Sequence, residues 1–455
     1  MAMRLAARQK ASTRFLDAGA ILEALKEAGG AVRLLSARWL LARAGFERVE
    51  FRKTGKWERK GAPTPLPCRQ LLEVAHPEAY LSTEALQGLH EGFVDVLKGT
   101  KHAVKDGLSA APLVALTHCW YTPQHADPQG STLMKLCEEL GRQLPLMEPW
   151  GLKDIGVFFD WASLYQDTLD AARTPEQQAL YAAALPLMPM LFAHKQTTVF
   201  VISVQETIAP PRGQRGWPLY EEALLRLFKE VPAPKRYTVP DYGQCHLWPK
   251  LVRVGEADAA ASYAAQGPPL APLRFNTELT PKVFSREEDR DVVVADYRKT
   301  IESGLAGLSE LMLQRRGWGD EELITFAGLL REVEMPHVRV LDLSSNDMTT
   351  KGLEALCASF AAGALHSLEV LNLSQCSGIL ALPEALVELR QLHTIKLDGC
   401  IGLASIPESF ARMAALKTFS IINCLRLISA PGGLHAVPAA VRVVKEEKKT
   451  KKKKE

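Results

Sequence analysis

Between residues 113 and 204 the chain alternates short, almost continuous apolar runs with longer amphipathic stretches. The runs LVALTHCW (113–120), IGVFFDWASL (155–164) and TTVFVISV (197–204) are rich in Val and Phe. Between them, TLMKLCEELGRQL and PEQQALYAAALPLMPMLFAH carry apolar residues at helical spacing. Strands apolar on both faces, alternating with helices, predict an α/β fold built on a parallel sheet covered on both sides. Upstream, residues 16–45 read as helical through Ile21, Leu22, Leu25, Leu34, Leu35, Trp39 and Leu40. Residues 47–51 read as a short strand, 52–68 as a charged, Gly/Pro-rich connector and 83–105 as helical. Residues 231–282 hold many prolines and an Ala/Gly-rich patch, which predicts an irregular connector into a helix at 287–305.

A different pattern takes over at residue 306. Leu371-Asn372-Leu373 leads to Cys376, Ile395-Lys396-Leu397 to Cys400, and Phe419-Ser420-Ile421 to Cys424, a step of 24 residues each time. Leu341, Leu343 and Asn346 stand thirty residues before this series, and Leu311 and Leu313 thirty earlier again, with Arg316 in the Asn position. A fixed period of this kind predicts stacked units that share one core, here about five of them. The phrase L-x-L-x-x-N/C followed by L-P-x-x-L-x-x-L resembles leucine-rich repeats. The resemblance implies a short solenoid with inward leucines and an Asn/Cys ladder bonding the backbone of each turn. It also implies a concave face that binds a protein partner. Cys376, Cys400 and Cys424 are then ladder residues, because ligands 24 apart stack in a row and do not converge tetrahedrally.

Composition adds boundaries more than chemistry. A chain of 455 residues accommodates two to four domains. The reading is a helical region at 1–105, an α/β domain at 106–232, a connector and helix at 233–305, repeats at 306–440 and a disordered basic tail at 441–455. Eight cysteines, mostly inside apolar patterns and with no close pairs, point to a reducing cytoplasmic setting. The last eleven residues, KEEKKTKKKKE, carry a net +4, so the rest of a +3 chain stands at −1. A neutral body argues against nucleic acid as the partner. No apolar run is long enough to span a membrane. The basic tail and the basic start MAMRLAARQKASTRF are compatible with a nuclear or organellar address.

The polar and aromatic residues cluster just after the apolar runs. Thr117, His118 and Trp120 follow the first. Asp160, Trp161, Ser163, Tyr165 and Gln166 follow the second, and Ser203, Gln205 and Glu206 the third. Arg215, Gly216, Trp217, Tyr220 and Glu221 then open a helix. Open parallel sheets bind ligands outside the carboxyl ends of their strands, so these residues are the candidate site. Trp and Tyr offer faces for a heteroaromatic ring, Arg215 a fork for phosphate, and a carboxylate could stabilise an oxocarbenium-like transition state. His194, Cys245 and His246 have no trusted metal-ligand spacing, and no metal is expected.

ALTHCW, VFFDWASLYQ and RGWPLYEE resemble the heterokaryon-incompatibility (HET) domain, which reads roughly A-L-S-Y/H-x-W, I-W-I-D-A-L-C-I-N-Q, R-G-W-x-x-Q-E. HET domains are similar to Toll/interleukin-receptor (TIR) domains, whose S-x-W-C-x-x-E motif has its catalytic Glu four residues after Trp, as Glu221 follows Trp217. Pro218 stands where that motif has Cys. The combination resembles a protist-type family that joins such a domain to leucine-rich repeats, and no P-loop motif is present. The resemblance implies a signalling or defence-type protein whose repeats bind a partner and whose α/β domain relays the signal, by self-association as a homo-oligomer or by NAD cleavage. In the enzymatic alternative NAD is substrate, Glu221 is catalytic, and His118, Trp120, Asp160, Tyr165, Arg215, Trp217 and Tyr220 line the substrate. A catalytically inert scaffold is the third reading.

Overall fold

The computed structural model describes residues 14–50, 55–106, 108–168, 172–202, 210–229, 236–255, 266–429, 437–438 and 441–444. The described residues of 13–262 and 277–297 form one unit, and those of 263–276 and 298–455 a second. Residues 1–13 of the basic start and 445–455 of the lysine-rich tail lie outside the described residues, whereas 442–444, read as part of a disordered tail, form a strand.

The first unit opens with α1 (Ala18–Glu27), β1 (Leu34–Ser36), α2 (Ala37–Arg43), β2 (Phe46–Val49), β3 (Lys56–Arg59), α3 (Arg69–Ala75), β4 (Tyr80–Leu81) and α4 (Thr83–Gly99). It continues through β5 (Leu113–Thr117), α5 (Ser131–Met147), β6 (Gly156–Phe158), α6 (Asp160–Ser163), α7 (Pro175–Ala184) and α8 (Met188–Ala193). β7 (Thr198–Val201), α9 (Gly216–Phe228), β8 (Tyr237–Val239), β9 (Gly243–Cys245) and β10 (Leu251–Arg253) follow. Its main sheet has the order β10-β7-β5-β6-β1-β4. The three apolar runs are adjacent parallel strands, with Val114 opposite Val157 on one side and opposite Thr198 on the other. Burial on both faces explains their continuous hydrophobicity. Val114, Leu116, Val157, Phe159 and Phe200 share a core with Leu133, Leu136, Leu140 and Leu144 of α5. On the alternate face Phe158 meets Phe192 of α8 edge-on at 6.1 Å.

The sheet is mixed, and it draws on segments read as something else. Leu34 and Leu35, assigned to a long helix, belong to β1, which pairs antiparallel with both β6 and β4. Gly29 and Gly30, at φ 57° and 88°, end the preceding helix. Ser36 then caps α2, its Oγ accepting from the Trp39 amide at 3.0 Å. Residues 1–105 are therefore not purely helical. The charged connector contains β3, which pairs with β2 along its whole length. The proline-rich connector supplies β10, a parallel edge strand beside β7.

The second unit is a parallel sheet in strict sequence order: β11 (Glu310–Met312), β12 (Val340–Asp342), β13 (Val370–Asn372), β14 (Thr394–Lys396), β15 (Thr418–Ser420) and β16 (Arg442–Val444). Leu311, Leu341, Leu371, Ile395 and Phe419 stand opposite one another in register. β16 is a sixth strand, one more than the five units expected, because Arg442-Val443-Val444 lacks the leucine phrase. Leu373 and Leu397 are fully buried. The thirty-residue units return through the α-helices Asp320–Glu332 and Thr350–Ala361. The 24-residue units return through the short 3-10 turns Glu384–Glu388 and Glu408–Arg412.

One side chain per unit closes the turn. The Asn346 amide donates to the Leu313 and Leu343 carbonyls and accepts from the Arg316 and Trp318 amides. Cys376, Cys400 and Cys424 direct Sγ at the carbonyls of Leu343, Leu373 and Leu397, at 3.4, 3.1 and 2.8 Å. All three are buried free thiols. The residue before each ladder position is left-handed, from Arg315 and Ser345 to Gln375, Gly399 and Asn423. Arg316 takes the first ladder place and bonds Gln266 instead, Nη1 to Oε1 at 2.9 Å.

Candidate functional site

The carboxyl edge of the parallel strands gathers most of the first unit's unusual polar groups. β5 ends at Thr117 and passes directly to His118 and Trp120. β6 is followed, after Phe159, by Asp160, the first residue of α6, and β10 ends at Arg253. α9 lies over this edge and presents Glu221 and Glu222. Its start is fixed by a close approach: the Gly216 amide donates to the Val283 carbonyl, and a Cβ at Gly216 would lie 2.0 Å from the Phe284 ring.

Asp160 is the hub. Its Oδ1 lies 2.8 Å from His118 Nε2 and accepts from its neighbour's amide, Trp161 N, at 2.7 Å. Its Oδ2 accepts from Trp120 Nε1 at 2.7 Å. His118 Nδ1 faces the Cys119 carbonyl at 3.3 Å, and the ring stands edge-on to Phe159. A carbonyl only accepts, so Nδ1 carries a proton. A neutral ring would then turn a lone pair on Nε2 toward the Asp160 carboxylate. The contacts therefore favour an imidazolium beside an ionised Asp160. Burial opposes charge on both groups, but their mutual attraction and hydrogen bonds outweigh it. His118 is raised above the ordinary histidine range and Asp160 lowered below the ordinary carboxyl range. Neither His118 nitrogen is left over to act as a general base.

Glu221 sits beside this pair in a different state. Burial pushes its carboxyl up to about 7, against the Arg212 charge and a hydrogen bond from Thr117. Thr117 Oγ1 donates to Glu221 Oε2 and accepts from Arg212 Nη2 at 2.7 Å. Glu222, next in the helix, pairs with Arg253 and lies 4.0 Å from Arg212. The edge thus holds one carboxylate kept ionised by an imidazolium and one that titrates near neutrality. Such a divergence of paired carboxyls is the environment in which acid–base roles separate.

Other expected residues do not converge here. Tyr165 turns to α3, its hydroxyl donating to Glu73 Oε2 at 2.8 Å and its ring lying under the Arg69 guanidinium at 3.9 Å. Arg215 Nε donates to the Pro210 carbonyl at 2.8 Å. Trp217 Nε1 donates to Asp289 at 3.0 Å, and the buried Tyr220 hydroxyl donates to Asp296. These two rings meet edge-on and belong to packing against residues 277–297. Of the aromatic candidates only Trp120 stays at the edge, partly exposed and edge-on to Trp161 at 5.4 Å. Ser203, Gln205 and Glu206 lie outside the described residues. Arg212, Glu222 and Arg253 escaped the sequence reading. Nothing in R-G-Q-R-G-W distinguishes Arg212 from Arg215, and Arg253 looked like part of a connector. Among the described residues no His/Cys/Asp/Glu group could hold a metal ion, and no helix is long and apolar enough to cross a membrane.

The family model described as Leucine Rich repeat matches residues 334–357, the segment of β12 and the start of the helix after it. Among solved structures, the leucine-rich repeat domain of the type III effector XopL is similar at 13% identity. That likeness covers 38% of this chain and 88% of that chain, with a TM-score of 0.14, too low to carry an argument. No curated protein matches. The chain contains leucine-rich repeats, and such repeats suggest protein partners.

Proposed function

We propose that this is a signalling or defence-type interaction protein: the repeats hold a protein partner on the exposed face of their sheet, and the HET/TIR-like α/β unit relays the event by self-association. The observation that carries this reading is the in-register rank of strands. Inward leucines leave two aligned outward rows, Val340-Val370-Thr394-Thr418 and Asp342-Asn372-Lys396. Asn372 Nδ2 is held by Asp342 Oδ2 at 2.8 Å, so the second row is a preorganised polar surface. Replacing Asn372 and Lys396 by Glu leaves the core untouched. Partners cross-linked to the wild-type protein in cells should be lost from this variant; retention of the same partners overturns the concave-face assignment.

A second reading has its own support in Glu221. A carboxyl at the carboxyl edge of the parallel strands, beside Asp160, which holds the indole N–H of Trp120, suits cleavage of the nicotinamide–ribose bond of NAD. Positive charge develops on the ribose there, and a carboxylate stabilises it more than the ground state. Nicotinamide release by the purified, clustered protein tests this. Glu221→Gln should lower turnover at least ~100-fold. If the wild type releases none, the enzymatic reading fails and the interaction reading stands.

A further inference from the structure

The hydrogen bonds around Thr117 have only one self-consistent direction. Thr117 is fully buried, so its hydroxyl proton needs a protein acceptor. Arg212 has no acceptor and is always charged, so its Nη2 must donate to Thr117 Oγ1. The acceptor that the structure offers the Thr117 hydroxyl proton is Glu221 Oε2. Oε2 is thereby held as an acceptor, and any proton on Glu221 resides on Oε1. The titratable and charged groups that face Glu221 are His118 and Cys119 after the β5 end, Asp160 on α6, Arg212 on the turn before α9 and Tyr220 on α9 itself. The same Arg212 Nη2 also lies 4.0 Å from Glu222, whose charge helps hold the guanidinium at Thr117.

We infer that Arg212 and Thr117 are positioning residues for Glu221: a one-way relay from guanidinium through hydroxyl to carboxylate that reserves Oε1 for proton exchange at the sheet edge. This rests on the site reading above, in which Glu221 is the working group, but it does not require that the substrate be NAD. A chain of hydrogen bonds in one direction strengthens each member, so it also keeps Glu221 from remaining wholly protonated at neutral pH.

The test is the carboxylic-acid carbonyl band of Glu221, isolated as the infrared difference between wild type and Glu221→Gln and titrated from pH 5 to 9. The full-length protein should show a midpoint near neutrality. Thr117→Val preserves shape but removes the hydroxyl, and its midpoint should rise by about one pH unit. Thr117→Ser keeps the hydroxyl and should restore the wild-type midpoint. A single cooperative thermal melt at pH 6 establishes that each variant is folded. A Thr117→Val midpoint equal to wild type, or a Thr117→Ser midpoint displaced as far as that of Thr117→Val, overturns the relay. If Thr117→Val does not fold, the serine variant and Arg212→Gln decide alone: unchanged midpoints in serine and a raised one in Arg212→Gln uphold the relay, and any other pattern overturns it. The titration needs no turnover. Absence of nicotinamide release therefore refutes the glycohydrolase reading without touching this one.

Discussion

His118 Nε2 and Asp160 Oδ1 lie 2.8 Å apart, with the imidazole almost completely enclosed and the carboxylate partly open to solvent. The ends of two adjacent parallel strands meet in this pair, and its charge state decides what the edge can do.

The pair predicts a stability window. His118 is raised, so its contribution is complete below the ordinary histidine pKa and is lost as pH climbs through the folded value. Asp160 is lowered, so its contribution is complete above the ordinary carboxyl pKa and is lost as pH falls through the folded value. Both contribute fully between about pH 4 and 6.5. Asp160→Asn should cost about 1–3 kcal/mol in denaturant titration at pH 6 and progressively less at pH 9. An equal cost at both values would mean that His118 does not change its charge between them.

Glu221 predicts the opposite sign. A carboxyl raised to about 7 favours the protonated form in the folded state, so folding loses stability as pH rises from the ordinary carboxyl value to about 7. Glu221→Gln removes that penalty. The variant should be more stable than wild type at pH 8, by about 1–3 kcal/mol once residual solvent contact is allowed for, and equal to it near pH 4. A variant that is less stable at pH 8 would make Glu221 a structural bridge.

Leu397 is fully buried between units. Leu397→Ala should cost about 2–5 kcal/mol in a denaturant titration, through lost transfer energy and the cavity left behind. A cost under 1 kcal/mol would mean that the repeats do not share a continuous core.

Gly399 has φ 75°, and a Cβ there would lie 2.3 Å from Gln375 Nε2 in the unit before. Gly399→Ala should therefore lower thermal stability, by about 1–2 kcal/mol. Adding Gln375→Ala should recover the steric part and leave the backbone part. Full recovery in the double variant would show that the left-handed conformation is not strained.

Seven of the eight cysteines are buried free thiols, and Cys245 alone is partly exposed. Alkylation of the native protein followed by mass spectrometry should label Cys245 first. The ladder thiols should react only on unfolding. Early labelling of Cys376, Cys400 or Cys424 would contradict their place between units.

Much of this was visible in one dimension because periodicity carries it. A 24-residue step with leucines two apart leaves few options, since each unit needs the next to bury its apolar face. Three runs buried on both faces had to be central strands, and the parallel pairing of β5, β6 and β7 follows from the helices between them. The strands missed were the short ones. β1, β4, β8, β9 and β10 have two or three residues each and β3 four, too few for a period to register, and only their partners in the sheets make them strands.

The candidate site divides along the same line. That Thr117, His118, Trp120, Asp160 and Glu221 are unusual residues in edge positions is a property of the chain, because strand ends and helix starts announce themselves through the change from apolar to polar. Which of them meet is not. Trp217 and Glu221 are one helical turn apart, yet Trp217 bonds Asp289 while Glu221 bonds Thr117. A helix places side chains by rotation about its axis, and only the packing of that helix against residues 277–297 on one side and the sheet edge on the other assigns each face its partner. Arg212 acquires its role in the same way, through a hydroxyl that stands 95 residues earlier in the chain. Periodicity is a local property written into the chain; charge pairing at this edge is a distance in space, and folding alone sets it.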